Sequence, residues 1–372
     1  MTPRSISGVL MKSDRTGRTD EIRAAFRGQA RACATLGSPF TAALLDGLAE
    51  RLSDAAAPDE DPVRARLRAW PGDARSDALA LRVAGALHAL VRSGAAPELA
   101  AAWPPEPQGD PADAALAAFA RHAPRLLPWL DGPPQTNEIA RGGALLGGLL
   151  TLAARFRAPL EVLEIGASAG LNQNLDAYRF DLGGGLAWGP PASPVRIASE
   201  WRGTAHPDLS APLEIAARAA CDLAPLDPAD PATRARLTAY VWADQATRLA
   251  RLEAALDLAA RLPRPVERAD AADWLAARLA RPATEGRVRV AMHSIMWQYL
   301  PAAVRAAITA TLAAAGARAT PAAPLAWLRM EPDDVRGSAA LDLTVWTGTA
   351  AAPATETLAR ADFHGRWTDW AG

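Results

Sequence analysis

From residue 20 to about residue 156, apolar side chains return every three or four positions, the spacing that lines one face of a helix. Ile22, Ala25, Phe26 and Ala30 make one such face. Phe40, Leu44, Leu45 and Leu48 make a second after the break at Gly37, Ser38 and Pro39. The pattern repeats over 79–91 and 116–127, and prolines at 104, 105, 107, 111, 133 and 134 punctuate the segments. A helical domain over 20–156 is predicted. Residues 1–19 are polar and aperiodic, and their one apolar run, 6–11, is too short for a signal segment, so a disordered tail is expected there.

Past Pro159 the period changes. Leu160, Val162, Leu163 and Ile165 form a short apolar run that ends in a glycine-rich turn, the mark of a buried strand. Further strands are predicted over 215–221, 265–269, 287–293, 324–329 and 341–346, with helices over 233–262, 271–279 and 301–315 between them. Strand and helix in alternation predict a doubly wound, mostly parallel sheet over 157–372 that closes in an antiparallel hairpin. Residues 181–202 depart from this. Gly183, Gly184, Gly185, Gly189, Pro190 and Pro191 give them the look of an inserted hairpin or lid.

With 372 residues, two domains are expected. Half the residues are hydrophobic and 22% charged, too apolar a chain for general disorder. The 40 basic and 41 acidic side chains nearly cancel, so nothing draws the chain to phosphate backbones or anionic lipid. A small-molecule partner is expected, with neither nucleic acid nor membrane, since no apolar stretch reaches the roughly 20 residues of a spanning helix. Cys33 and Cys221 stand far apart, which fits a reducing cytoplasm and gives no zinc motif.

The candidate chemistry starts at Gly166, Ser168 and Gly170, directly after the first strand. In such sheets ligands bind beyond the strand ends, where small residues let the backbone approach them. A dinucleotide site would need a further glycine where Leu171 stands, and an acid about 20 residues on, where there is none. A serine hydrolase would use Ser168 with Asp342 and His364, but only helices precede the turn. S-adenosylmethionine accounts for more of the chain. Asp222 and Asp270 end the second and third strands, where carboxylates can accept from ribose hydroxyls and an adenine amine. Glu164, just before the turn, is placed for the amino-acid end, and Asn172 past the turn is a further cofactor-binding candidate. Either aspartate has the alternative of capping a helix.

The fourth strand leads into His293, a candidate general base, with Trp297 and Tyr299 as candidate substrate walls. His293 has the alternative of a structural, hydrogen-bonded histidine. The remaining histidines have no ligand spacing, and no metal is predicted.

The chain resembles the DUF2332 family over nearly its whole length from about Asp20. The resemblance is carried by Gln135, Asn137, Glu138 and Arg141; residues 163–172; Arg218, Cys221 and Asp222; Trp242, Asp244 and Gln245; Asp270; residues 293–300; and residues 324–328. Cys221 replaces an expected glycine and Ala243 an expected proline. The resemblance implies a methyltransferase-like fold without an established reaction. Gln135 and Asn137 are candidate substrate contacts or caps of the helix that follows. The resulting expectation is a Rossmann-like α/β sheet of the class I methyltransferase type behind a helical domain, transferring methyl from S-adenosylmethionine to a small molecule. A non-catalytic ligand-binding protein on the same fold is the alternative.

Overall fold

The computed structural model describes residues 7–52, 61–203, 205–348, 353 and 355–371, with backbone alone for 7–16. Contacts divide the chain into two compact units, residues 1–136 with 235–250, and residues 137–234 with 251–372.

The first unit is helical: α1 (Ser7–Thr35), α2 (Pro39–Arg51), α3 (Pro62–Arg68), α4 (Leu79–Arg92), α5 (Pro97–Ala100) and α6 (Pro111–Asp131). Several starts follow one rule, a short polar side chain taking an otherwise unpaired N–H while proline presets the next residue. Ser38 accepts from Thr41 N, Asp61 from Arg64 N and Asp110 from Ala112 N. Phe26, Leu44, Leu45, Leu48, Leu67, Leu87 and Phe119 fill the core.

Two expectations change here. The tail expected over 1–19 is helical from Ser7, and the Arg18 guanidinium donates to the Trp70 carbonyl at 2.5 Å. That docking contact offsets the entropy of ordering the segment and leaves no periodic trace in the sequence. Residues 1–6 lie outside the described residues. The helix expected over 233–262 is broken at 240–245. There Asp244 accepts from Ser38 Oγ at 2.5 Å and Phe40 N at 2.9 Å, and the Val241 carbonyl meets His88 Nδ1 at 2.8 Å. These bonds tie residues 235–250 to the helical unit.

The second unit opens with α7 (Gly142–Phe156) and β1 (Leu160–Ile165). The inserted segment follows as β2 (Arg179–Asp181), β3 (Ala187–Trp188), β4 (Arg196–Ala198) and β5 (Glu200–Arg202). Then come β6 (Ile215–Asp222), α8 (Pro231–Ala239), α9 (Ala246–Arg261), β7 (Val266–Arg268), α10 (Ala271–Ala280), β8 (Val288–Ser294) and α11 (Ala302–Gly316). The chain ends in β9 (Leu325–Pro332), β10 (Ala339–Trp346), β11 (Thr355–Ala361) and β12 (Trp367–Trp370).

Nine described strands form one sheet in the order β5-β12-β11-β10-β9-β8-β1-β6-β7. β7, β6, β1, β8 and β9 run parallel, and β9 to β12 form an antiparallel meander rather than a single hairpin. The order reverses at β1, whose neighbours β6 and β8 lead away to opposite edges. The insertion holds one antiparallel hairpin, β2 with β3. β2, β3 and β4 form their own small sheet, and β5 runs parallel to β12 at the edge of the large one.

The helical domain expected to extend to 156 stops at 136, because α7 belongs to the sheet unit. Residues 139–156 are apolar and long enough to pass for a membrane span, and 72% of them are buried in the fold. A helix apolar on every side satisfies itself by burial on every side. Its glycines set the approach. A methyl at Gly147 would lie 2.0 Å from the Trp370 ring, and one at Gly148 2.5 Å from Leu328.

Gly147→Ala therefore destabilises the protein by about 1–3 kcal/mol through overpacking, although alanine in a free helix is favoured by about 1 kcal/mol. Chemical denaturation of the two proteins checks this. A variant as stable as the parent would show that Trp370 does not rest on α7.

Candidate active site

β1 delivers the chain to the glycine turn with its ladder intact, as Ala167 N still donates to the Cys221 carbonyl at 3.1 Å. The turn then leaves the ordinary backbone regions three times, at Gly166 (φ 68°), Ser168 (φ 55°) and Gly170 (φ 69°). Glycine takes such angles freely, and serine pays about 1–2 kcal/mol. Asp222, at the end of β6, holds Ser168 there. One carboxylate oxygen accepts from Ser168 N at 2.8 Å and the other from Ala224 N at 2.9 Å. Leu226 N closes the clamp on the Ser168 carbonyl at 3.1 Å. Ser168 is thus hydrogen-bonded through both its backbone groups to the end of β6 and the residues that follow it.

Below the turn lies Glu164, 3% exposed. Its two oxygens accept from Asn172 Nδ2 at 3.0 Å and Gln173 Nε2 at 2.5 Å. Burial pushes its carboxyl up to about 7, opposed by these two amide bonds and reinforced by the charge of Asp222. Asn137 Oδ1 accepts from Leu171 N at 3.2 Å, so it caps the 3-10 segment that follows the turn. Ser168 Oγ and Asn172 Oδ1 are buried without a hydrogen-bond partner among the described residues. Beside Gly170 opens a cleft of about 370 Å³, lined by Ala169, Asn174, Asp227, Pro263, Arg264 and Val266 among others.

Glu164, Gly166, Ser168, Gly170, Asn172, Asn137 and Asp222 thus converge on one turn. Other candidates do not join them. Asp270 is exposed and caps α10, accepting from Ala272 N at 2.8 Å and Asp273 N at 3.3 Å. A carboxylate ahead of a helix start finds free N–H groups within reach, and here that alternative holds. Gln135 belongs to the helical unit. Ser168 Oγ touches no base among the described residues, and Asp342 is engaged with Arg329 and Thr357, so the hydrolase arrangement is not assembled. The Cys221 thiol, pushed up to about 12 chiefly by burial, is no nucleophile.

His293, 1% exposed, is bonded on both sides. Nδ1 meets Glu331 Oε1 at 2.7 Å, and Nε2 accepts the Trp327 indole N–H at 3.0 Å. With Nε2 accepting from Trp327 and Nδ1 held by Glu331, neither ring nitrogen is left to meet a substrate proton. The structural alternative for His293 holds in this arrangement. Trp297 stacks on the imidazole at 5.2 Å and 12°, while Tyr299 projects into solvent at 74% exposure. The residue just before Trp297 reaches the turn. Met296 N donates to Glu331 Oε1 at 3.1 Å, and its side chain lies against Gly166, where a methyl would sit 2.9 Å from Met296 Cγ.

Glu331 did not emerge from the sequence. The rule that singled out Asp222 and Asp270, an acid at a strand end, selects it once the strand expected over 324–329 runs on to Pro332. Among the described residues, no three His, Cys, Asp or Glu side chains form a metal-holding group.

The Glu164 environment makes stability depend on pH in a defined direction. Its folded carboxyl titrates near 7 against an ordinary 4.5, so between these values the folded state keeps a proton that the unfolded chain releases. Stability is full below about pH 4.5 from this group and falls as pH rises through 7, by on the order of 3 kcal/mol. Glu164→Gln should flatten that fall in denaturation curves taken between pH 5 and 8. An unchanged slope would show that Glu164 is ionised throughout.

Comparison with known proteins gives no match among curated proteins and none among solved structures. A family profile described as an uncharacterized protein conserved in bacteria matches residues 23–370. The match takes in the helical unit, the sheet and the clamped turn alike, and the chain accordingly belongs to the DUF2332 family.

Proposed function

We propose that the protein binds S-adenosylmethionine at the glycine turn and directs its methyl group to a small molecule. The observation that carries this reading is the position of the turn. It leaves β1 where the strand order reverses, in a sheet whose parallel strands run third, second, first, fourth, fifth in chain order, as in class I methyltransferases. Open α/β sheets take their ligands in that crevice. A carboxylate, Asp222, stands at the end of the neighbouring strand, and the cleft beside Gly170 is of small-ligand size.

The residues present fit such a ligand. Ser168 Oγ and Asn172 Oδ1 are buried polar atoms whose hydrogen bonds a ligand can complete. Glu164, Gly166, Gly170 and Asp222 would hold it with them. Asp222 keeps lone pairs beyond its two backbone bonds, so it can accept from a diol without releasing the turn. When bound, the ligand supplies a methyl already activated by a sulfonium. The chain's part is then to orient the acceptor and exclude water, which asks for no base at His293.

A second reading, ligand binding without chemistry, is favoured by two observations. Both ring nitrogens of His293 are engaged, and the Met296 side chain covers Gly166. Methyl transfer requires that side chain to move, and simple retention does not.

Isothermal titration with S-adenosylhomocysteine should give a dissociation constant below about 1 mM, or −4.1 kcal/mol. Asp222→Asn keeps a carbonyl oxygen for Ser168 N and should weaken binding at least about tenfold, because bonds to a charged group are worth roughly 1.5–3 kcal/mol. Asp222→Ala should in addition lose about 1 kcal/mol of stability by freeing two backbone donors. Absence of heat with this ligand, together with binding of NADH, would sink the proposal.

A further inference from the structure

Glu331 occupies the end of β9 with 7% of its surface exposed. Oε1 accepts from His293 Nδ1 and Met296 N, whereas Oε2 is buried with no hydrogen-bond partner among the described residues. The imidazole beside it offers Nδ1 to the other oxygen, and its Nε2 already accepts the Trp327 indole N–H at 3.0 Å. Arg329, two residues back along the strand, spends its guanidinium on Asp342 at 3.2 Å and on the face of Trp327 at 4.3 Å. The second oxygen of Glu331 is therefore a buried acceptor to which no described side chain donates. Leaving a buried acceptor unpaired costs free energy, and a bound cationic donor removes that cost.

The surroundings specify the cation. A metal ion needs several oxygen ligands, and no three-ligand group is present among the described residues. A guanidinium prefers both oxygens of a carboxylate, and one is already taken by Met296 N and His293. An ammonium group needs a single oxygen and gains from an adjoining aromatic face. Trp297 supplies one. Its ring stacks on His293 on one side and is half-buried overall, and it follows directly on Met296, whose N–H binds the same carboxylate.

We propose that Glu331 and Trp297 form a binding site for a small organic ammonium group, with Oε2 of Glu331 accepting its N–H. The site lies beyond the ends of the fourth and fifth parallel strands. Met296 touches both this site and the glycine turn. It does not depend on the methyl-donor reading and stands if that reading fails.

The test uses the full chain and methylammonium chloride as probe, with sodium chloride at equal concentration as the ionic control. Thermal melts should show a saturable rise in Tm with methylammonium over the control. In Glu331→Gln the apparent affinity should fall at least tenfold, and the melting point without the probe should equal or exceed that of the parent, since the amide oxygen keeps both bonds of Oε1. A purely structural glutamate would instead lower it. Trp297→Ala, at a half-buried ring, should keep the fold and also weaken the response at least tenfold, which decides the matter should the glutamine variant not fold. No rise beyond sodium chloride, or an undiminished response in either variant, would overturn the proposal.

Discussion

Ser168 stands at φ 55° with a side chain attached, and what keeps it there is the Asp222 carboxylate on its N–H. A left-handed residue that is not glycine reverts unless neighbouring groups over-determine it. Here three contacts do so: Asp222 on the amide, Leu226 on the carbonyl, and the rung from Ala167 to Cys221 just before. Because Asp222 also binds Ala224 N, one side chain fixes both the exit from β1 and the exit from β6. Asn137, Asn172 and Gln173 then find their partners only because the turn delivers the following 3-10 segment back over Glu164. Loosening this clamp would undo the geometry of the whole crevice.

The same region holds two buried carboxylates in different conditions. Glu164 is fully engaged by side-chain amides and kept close to protonation by its burial. Glu331 has one oxygen satisfied and one not, next to an imidazole whose second nitrogen is held by an indole. Uncompensated polar groups inside proteins are expensive, and natural sequences keep them where they are used. Met296 bridges the two halves, its amide on Glu331 and its thioether over Gly166. The side chain over Gly166 thus belongs to a residue whose backbone is pinned by the neighbouring carboxylate.

Much of this was legible in the residue pattern. Periodicity placed α2, α4, α10 and α11 to within a few residues, and the apolar runs gave β1, β6, β7, β8, the beginning of β9 and the end of β10. Small residues after the first strand marked the turn, and Glu164 and Asp222 were found by strand-end position. These succeed because helix and strand period, capping and turn chemistry are local, set by neighbours a few residues away.

What the sequence alone determined, then, is the alternation of elements, the parallel core of the sheet and the place where the chain makes its sharp turn. Only the tertiary structure decided which like residues differ in role. Asp222 and Asp270 look alike from sequence, yet one finds a displaced amide across the sheet and the other a free helix start. His293 looks like a base until Trp327, 34 residues on, fills its second nitrogen. α7 and the 235–250 segment change units because burial and long-range bonds, such as Asp244 to Ser38, assign them. In each case the deciding partner lies far away in the chain, and a hydrogen bond at 3 Å leaves no trace in spacing or composition.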